Sequence, residues 1–184
     1  MHAYVYLRTD PARVDDVLVE LAGKHGVRNA VSVTGDWDIL VAVEGADFAS
    51  VGRTTKREVL TVDGVRRSTT APVVPLELLG VAGEVAMGYP LYRDDPCCYV
   101  HIDTRAGAVA SVAEILLRIR DVSGIAVLAG RHDLLVEIPL PWEAASRVIL
   151  QELHGIEGIV STTTSVAIAP EESDEDGIHP SSWA

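Results

Sequence analysis

The feature that most constrains this chain of 184 residues is an internal repeat. The segment Gly-Asp-Trp-Asp-Ile-Leu-Val at 35–41 returns as Gly-Arg-His-Asp-Leu-Leu-Val at 130–136, so each copy is a Gly-x-x-Asp turn followed by a strand-like apolar run. The two glycines lie 95 residues apart, and Tyr4 and Tyr99 keep the same spacing. This duplication predicts two copies of one unit, and each copy is near the lower size limit of a domain. Units this small gain stability by packing on each other.

Charge and cysteine usage narrow the function classes. The chain carries a formal charge of −12, and five carboxylates between 171 and 176 account for five of these charges. The acidic remainder repels a phosphate backbone, which argues against independent binding of DNA or RNA. Cys97 and Cys98 are adjacent, which suits neither a disulfide nor a metal site, and no signal peptide or membrane span is visible. We expect a cytoplasmic protein without a metal or cofactor.

Each copy predicts the same order of elements, β-α-β-β-α-β. In the first copy, residues 3–7 read as a strand, and an apolar stripe at the spacing of a helix follows over 14–21. The Gly-x-x-Asp turn then joins two strands as a hairpin. A helix over 47–61 and a strand over 64–74 complete the first copy. The second copy predicts strands over 98–103, 124–129, 133–138 and 158–168, and helices over 106–121 and 141–154.

This order defines the fold class and the domain organisation. It predicts an α+β protein of two tandem ferredoxin-like βαββαβ units, each an antiparallel sheet with two helices on one face. The open sheet faces would expose apolar side chains such as Tyr4 and Val41, so we expect the units to pack sheet to sheet as a pseudo-dimer resembling a dimeric α/β barrel. The predicted boundaries are 1–74 and 98–169 for the units, 75–97 for a linker and 170–184 for an acidic, disordered tail.

Each copy resembles the effector-binding domain, or RAM domain, of the Lrp/AsnC family of amino-acid-responsive regulators. The resemblance is carried by Val-Ser-Val-Thr at 31–34, by the two turns, and by the closing strands that begin at Gly64 and Gly158. It covers about 3–74 and 98–169. The helix-turn-helix of the family's regulators has no predicted counterpart, because the first strand starts at Ala3 and the linker is too short to hold one.

The resemblance implies a site for an amino acid or similar effector near the turns, where units meet. A glycine lets the backbone approach a ligand, and an aspartate accepts an ammonium group. The same residues also suit a hairpin turn chosen for its backbone geometry alone, and the sequence leaves both readings open. The copies differ in the middle of the turn, and the sequence leaves open whether one copy binds or each binds a different ligand. The candidate ligand-binding residues are Thr34, Gly35, Asp36, Trp37, Asp38, Gly130, Arg131, His132 and Asp133.

Three functions remain open at this stage. The main expectation is a non-catalytic, small-molecule-binding protein linked to transcription regulation, which forms homo-oligomers or assembles with Lrp/AsnC-type regulators and contacts neither nucleic acid nor membrane. An α/β-barrel enzyme, of the oxygenase or haem-related kind, would use the cavity between the sheets, although the histidines show no metal-ligand spacing. The third is a structural module that co-assembles with a full-length regulator.

Overall fold

Eight antiparallel strands close into one barrel in a computed structural model that describes residues 1–82 and 96–168. The first repeat contributes β1 (His2–Thr9), β2 (Val27–Val33), β3 (Ile39–Glu44) and β4 (Val65–Val74); the second contributes β5 (Cys98–Thr104), β6 (Gly124–Leu128), β7 (Leu134–Ile138) and β8 (Ile159–Ile168). The helices are α1 (Val14–Ala22), α2 (Phe48–Thr54), α3 (Val109–Leu116) and α4 (Trp142–Gln151). The predictions for most of the linker and for the tail lie outside the described residues.

Two seams join the sheets of the two repeats. Each repeat has the ferredoxin-like strand order, β2-β3-β1-β4 and β6-β7-β5-β8. The long closing strand of each repeat then pairs with the hairpin of the other: Val73 lies opposite Leu128 in β4 and β6, and Val33 lies opposite Ala167 in β2 and β8. The predicted sheet-to-sheet pseudo-dimer is confirmed, and the seams add edge pairing that closes it into a barrel.

Strands β1 and β3 are apolar on both faces because each lies between two buried layers. In β1, Val5 and Leu7 face the helices of the first repeat, whereas Tyr4 and Tyr6 face the barrel interior. This alternation follows from the two-residue period of a strand. The interior layer draws on both repeats and is the place where the two units meet.

Helices α2, α3 and α4 are shorter than the sequence pattern predicts, whereas α1 matches its apolar stripe. The helix expected over 47–61 begins with Asp47, whose carboxylate accepts a hydrogen bond from the Ser50 amide at 2.7 Å, but α2 ends at Thr54. It continues as a π-helical turn, Thr55–Val59. The Thr55 hydroxyl donates to the Val51 carbonyl at 3.0 Å, the kind of side-chain bond that disturbs a regular helix. None of the helices in the described part of the chain is long and apolar enough to span a bilayer.

Candidate functional site

A pocket opens at the end of the barrel where the two Gly-x-x-Asp turns lie. Its volume is about 520 Å³, counting the solvent at its entrance. Interior-facing strand residues form its floor and turn residues form its rim, and we call it the mouth pocket. Its lining consists of Tyr6, Asp36, Trp37, Thr69, Thr70, Ala71, His101, Leu128, Arg131, His132, Thr163 and Ser165.

The rim of the mouth pocket brings together residues that occupy equivalent positions in the two repeats. Asp36 and Arg131 lie 95 residues apart in sequence, and their side chains meet across the entrance, with Arg131 Nη1 3.8 Å from Asp36 Oδ2. Each side chain is 68% exposed. An exposed pair at this distance contributes little to stability, so both charges remain available to a ligand.

The floor of the pocket is polar but uncharged at neutral pH. The Tyr6 hydroxyl and His101 Nε2 lie 3.1 Å apart, and both residues are buried. Burial, together with the nearby His132, lowers the pKa of His101 to about 4. Burial also raises the pKa of Tyr6 well above its usual range. Both groups therefore stay neutral and can take part only in uncharged hydrogen bonds.

Four rings follow one another along the pocket wall. The ring centres of Trp37 and Tyr6 are 6.1 Å apart, those of Tyr6 and His101 are 5.4 Å apart, and those of His101 and His132 are 5.1 Å apart. All three pairs are tilted, by 46° to 52°. The guanidinium carbon of Arg67 lies 5.8 Å from the Trp37 ring centre. This aromatic wall runs from one repeat to the other.

His132 is held in place by a carboxylate behind it. Its Nδ1 lies 2.8 Å from Asp103 Oδ1, and the Ser161 hydroxyl donates to Asp103 Oδ2 at 2.5 Å. Burial raises the pKa of Asp103, but the hydrogen bonds from Ser161 and His132 outweigh it and leave the pKa below its usual value. Asp103 is therefore ionised near neutral pH, which fixes the orientation of the imidazole.

The last aspartate of each repeated turn binds the backbone of its own repeat. Asp38 Oδ2 accepts a hydrogen bond from the Thr9 amide at 2.8 Å, and Oδ1 accepts one from Arg8 at 3.1 Å. Asp133 Oδ2 accepts the amide and the hydroxyl of Thr104, at 2.7 and 2.9 Å. These contacts give the repeated aspartate a structural role that does not need a ligand. Direct ligand contact by either residue stays a prediction.

The other predicted site residues divide between the pocket and its frame. Asp36, Trp37, Arg131 and His132 line the mouth pocket. Thr34 belongs to a seam, where its hydroxyl accepts a hydrogen bond from the Val166 amide at 2.9 Å. The remaining two are the turn glycines: Gly35 has a φ of +106°, and a Cβ on Gly130 would lie 3.1 Å from the Cβ of Ala71.

Sequence reasoning missed the floor of the pocket. It treated Tyr6 as a strand residue and His101 as an ordinary strand histidine, whereas both face the pocket. Their equivalent positions, three residues before Thr9 and Thr104, were the available signal, because the repeat offset places them on the same face of β1 and β5.

A second buried polar group lies deeper in the barrel. Glu137 on β7 is 5% exposed, and neither of its carboxyl oxygens has a hydrogen-bond partner among the described residues. It lies opposite Tyr99 and Gly124 in the strand register and lines a small pocket with Tyr4. Burial raises its pKa to about 8, so the side chain is predominantly protonated at neutral pH. Across the described residues, no group of three or more His, Cys, Asp or Glu side chains is arranged to hold a metal ion.

The fold and the mouth pocket define a class of protein, a duplicated α/β barrel with a pocket where its repeats meet. The family model of the Lrp/AsnC ligand binding domain matches residues 2–75 and again 97–174. The chain therefore belongs to this family, as a tandem duplicate of its ligand-binding domain. No curated protein matches the chain.

Three solved structures that are similar to the chain differ in how much of it they cover. FFRP-DM1 is 26% identical and covers 40% of this chain and 99% of its own, with a TM-score of 0.38. The siroheme decarboxylase NirDL is 11% identical and covers 91% of this chain and 71% of its own, with a TM-score of 0.62. A putative monooxygenase from Fusobacterium nucleatum is 11% identical and covers 90% and 89%, with a TM-score of 0.52. The last two share the fold over nearly the whole chain.

Proposed function

We propose that the protein is a sensor whose mouth pocket binds one small zwitterionic effector, an α-amino acid. The observation that carries the proposal is the meeting of Asp36 and Arg131 across the entrance. A carboxylate accepts an ammonium group, and a guanidinium binds a carboxylate through two parallel hydrogen bonds. The two rim charges thus match the two charged groups that every α-amino acid carries.

The weakness of the rim pair supports ligand binding. Asp36 and Arg131 are 3.8 Å apart and largely exposed, so separating them costs little free energy. A zwitterion placed between them replaces one poor ion pair with two better ones. A ligand with a single charge would satisfy only one side of the rim and would break the existing pair, so selectivity for zwitterions follows.

One shared site replaces the two separate turn sites that the sequence allowed. The rim has its carboxylate, Asp36, from the first repeat and its guanidinium, Arg131, from the second. The floor likewise has Tyr6 from the first repeat and His101 from the second. Both turns therefore contribute to one ligand. We expect one molecule of effector per chain.

Titration calorimetry with the twenty common amino acids tests the proposal. We expect at least one of them to bind with a stoichiometry near one, and both Asp36→Asn and Arg131→Gln to weaken binding at least ~10-fold, since each removes a charge-assisted hydrogen bond. Glu157→Gln is the matched control, because Glu157 forms an exposed ion pair with Arg105. Binding unchanged by both rim variants, or no binding of any amino acid to the unaltered protein, would contradict the proposal.

An enzyme that uses the same pocket is the second candidate. A histidine oriented by a carboxylate, as His132 is by Asp103, can serve as a general base, and the siroheme decarboxylase NirDL shares the fold. Mass spectrometry of a bound compound after incubation separates the two candidates. A sensor returns the compound unchanged, whereas an enzyme converts it, and His132→Ala then stops the conversion. An oxygenase or haem-related enzyme would also show a visible absorption band or bound metal after purification.

We propose that effector binding acts through assembly. The family is one of ligand-binding domains, and the pocket lies at an open end of the barrel. A neighbouring chain that packs there can contact the bound ligand. The partner is a second copy of this chain or an Lrp/AsnC-type regulator. We also propose that the protein is cytoplasmic, because its two cysteines are unpaired. Light scattering with and without the effector tests self-assembly, and co-purification tests the regulator. A mass and partner set that do not change with effector would contradict this step.

A further inference from the structure

We infer that the effector's side chain is a flat aromatic ring, so that the mouth pocket takes an aromatic amino acid. This inference rests on the proposed function, because the two rim charges place the backbone groups of the ligand at the entrance. The side chain of a ligand held there by Asp36 and Arg131 points down toward the residues below the rim.

The wall below the rim is built from rings. Trp37, Tyr6, His101 and His132 form a continuous series of tilted contacts at 5.1 to 6.1 Å between ring centres. Trp37 and His132 occupy equivalent turn positions, so a ring is offered from each repeat. An aromatic pair gains favourable ring–ring interaction beyond the apolar area that it buries. A planar side chain extends this series, whereas a branched aliphatic one gains only the apolar contact.

The floor excludes charged side chains. His101 and Tyr6 are buried and neutral, so neither can balance a charge brought next to them. Asp103, the carboxylate behind His132, is already bound by His132 and Ser161. An ammonium or carboxylate at the floor would lose its hydration without gaining a counter-ion, which is costly. The ligand's third group is therefore uncharged.

Apolar and hydroxyl groups complete a surface that suits the face and the edge of a ring. Leu128 and Ala71 supply apolar contact, and Thr163 and Ser165 supply hydroxyls. The Tyr6 and His101 pair adds polar edges at the floor. Mostly apolar walls with a few placed polar groups are the usual composition of a small-molecule site.

The experiment compares phenylalanine, tyrosine and tryptophan with leucine and methionine, and with lysine and glutamate, by titration calorimetry. We expect the best aromatic amino acid to bind at least ~3-fold more tightly than leucine or methionine, and lysine and glutamate to bind at least ~10-fold more weakly than it does. Trp37→Leu is expected to remove the aromatic preference, so that in this variant the best aromatic amino acid and leucine bind with affinities within about twofold of each other. Trp142→Leu is the matched control, since Trp142 is 49% exposed on the outer helix α4.

The outcomes separate this inference from the proposed function. Leucine or methionine binding as tightly as every aromatic amino acid, with Asp36→Asn still weakening them, would overturn the aromatic preference and leave the zwitterion site standing. A preference that survives Trp37→Leu would also overturn it. Failure of every amino acid to bind would remove the proposed function itself, and the inference with it.

Discussion

The hydroxyl of Tyr6 and Nε2 of His101 lie 3.1 Å apart, although the two residues are 95 positions apart in sequence and equivalent in the two repeats. Two strands that descend from one pattern thus meet through unlike side chains at the floor of the mouth pocket. Because both groups are buried and neutral, each depends on the other for a hydrogen bond that water supplies in the unfolded chain.

Removing one member of this pair should cost more than removing both. Tyr6→Phe leaves His101 Nε2 without the phenol, and we expect the free energy of unfolding to fall by about 1–3 kcal/mol. Adding His101→Leu to Tyr6→Phe should recover part of that loss, since neither partner then leaves an unsatisfied group. Urea unfolding of the two single variants and the double variant measures the coupling. Additive losses would show that the contact does not stabilise the fold.

The repeated aspartates should act on stability. Asp38→Ala removes the acceptor for the Thr9 amide, and Asp133→Ala removes the acceptor for Thr104. We expect each to lower the free energy of unfolding by about 1–3 kcal/mol. Asp36 is the matched control because its side chain is exposed, and Asp36→Ala should change the free energy of unfolding by less than ~0.5 kcal/mol. Equal effects at Asp36 and Asp38 in chemical denaturation would contradict this division.

The repeat and its periodicity were sufficient to predict the element order and the facing sheets. Apolar side chains point to both faces of β1, so both faces must be buried. An isolated four-stranded unit, with helices on one side only, buries a single face of its sheet. The seams could not be predicted from the sequence. The pairing of Val73 with Leu128 and of Val33 with Ala167 depends on how far two strands from different repeats extend, and no local sequence pattern encodes that length. The role of Asp38 was undecided for a related reason: its partner Thr9 is distant in sequence.

Glu137 should make the protein less stable as the pH rises from about 6.5 to 8. Its pKa is about 8 in the folded protein and near 4.5 in the unfolded chain, so the folded state holds the extra proton in this range. The free energy of unfolding then falls by up to ~1.4 kcal/mol per pH unit. Between about pH 4 and 6.5, His101 acts in the opposite direction, because its folded pKa of about 4 lies below its ordinary value of 6.5.

The variant Glu137→Gln isolates this effect. We expect urea unfolding of the variant to show little pH dependence between pH 6.5 and 8, and a free energy of unfolding that rises from pH 4.5 to 6.5 through His101. Glu157→Gln, at a side chain that is 91% exposed, should keep the slope of the unaltered protein. A Glu137→Gln variant with an unchanged slope above pH 6.5 would contradict the assignment.

Two equivalent glycines should not tolerate a side chain. Gly64 and Gly158 have φ angles of +97° and +106°, and an added Cβ would lie 3.0 Å from the Arg13 Cβ and 2.9 Å from the Ala108 Cβ. Alanine at either position should lower the free energy of unfolding by about 1–3 kcal/mol. In contrast, Gly52→Ala meets nothing within 4 Å inside α2 and should raise it by about 0.5–1 kcal/mol. Thermal unfolding of the three variants provides the test, and a tolerated Gly158→Ala would contradict it.

The thiols should be protected in the folded protein. Cys97 and Cys98 are buried, and burial raises the pKa of Cys97 to about 12 and that of Cys98 above its ordinary value. Because the thiolate is the reactive form, we expect a thiol reagent at pH 8 to react at least ~100-fold more slowly with the native protein than with the protein in denaturant. Two thiols that react at the denatured rate under native conditions would rule out this burial.

The meeting of equivalent residues at the mouth pocket has a consequence for how such a site can change. In a homodimer, one altered codon changes both walls of a site on the twofold axis, so its charge moves in steps of two and its shape stays symmetric. In this chain each wall is encoded separately. Asp36 can therefore coexist with Arg131, and Tyr6 with His101. The two walls of the pocket carry different groups, so a ligand binds in one orientation, which a symmetric site between identical subunits cannot impose.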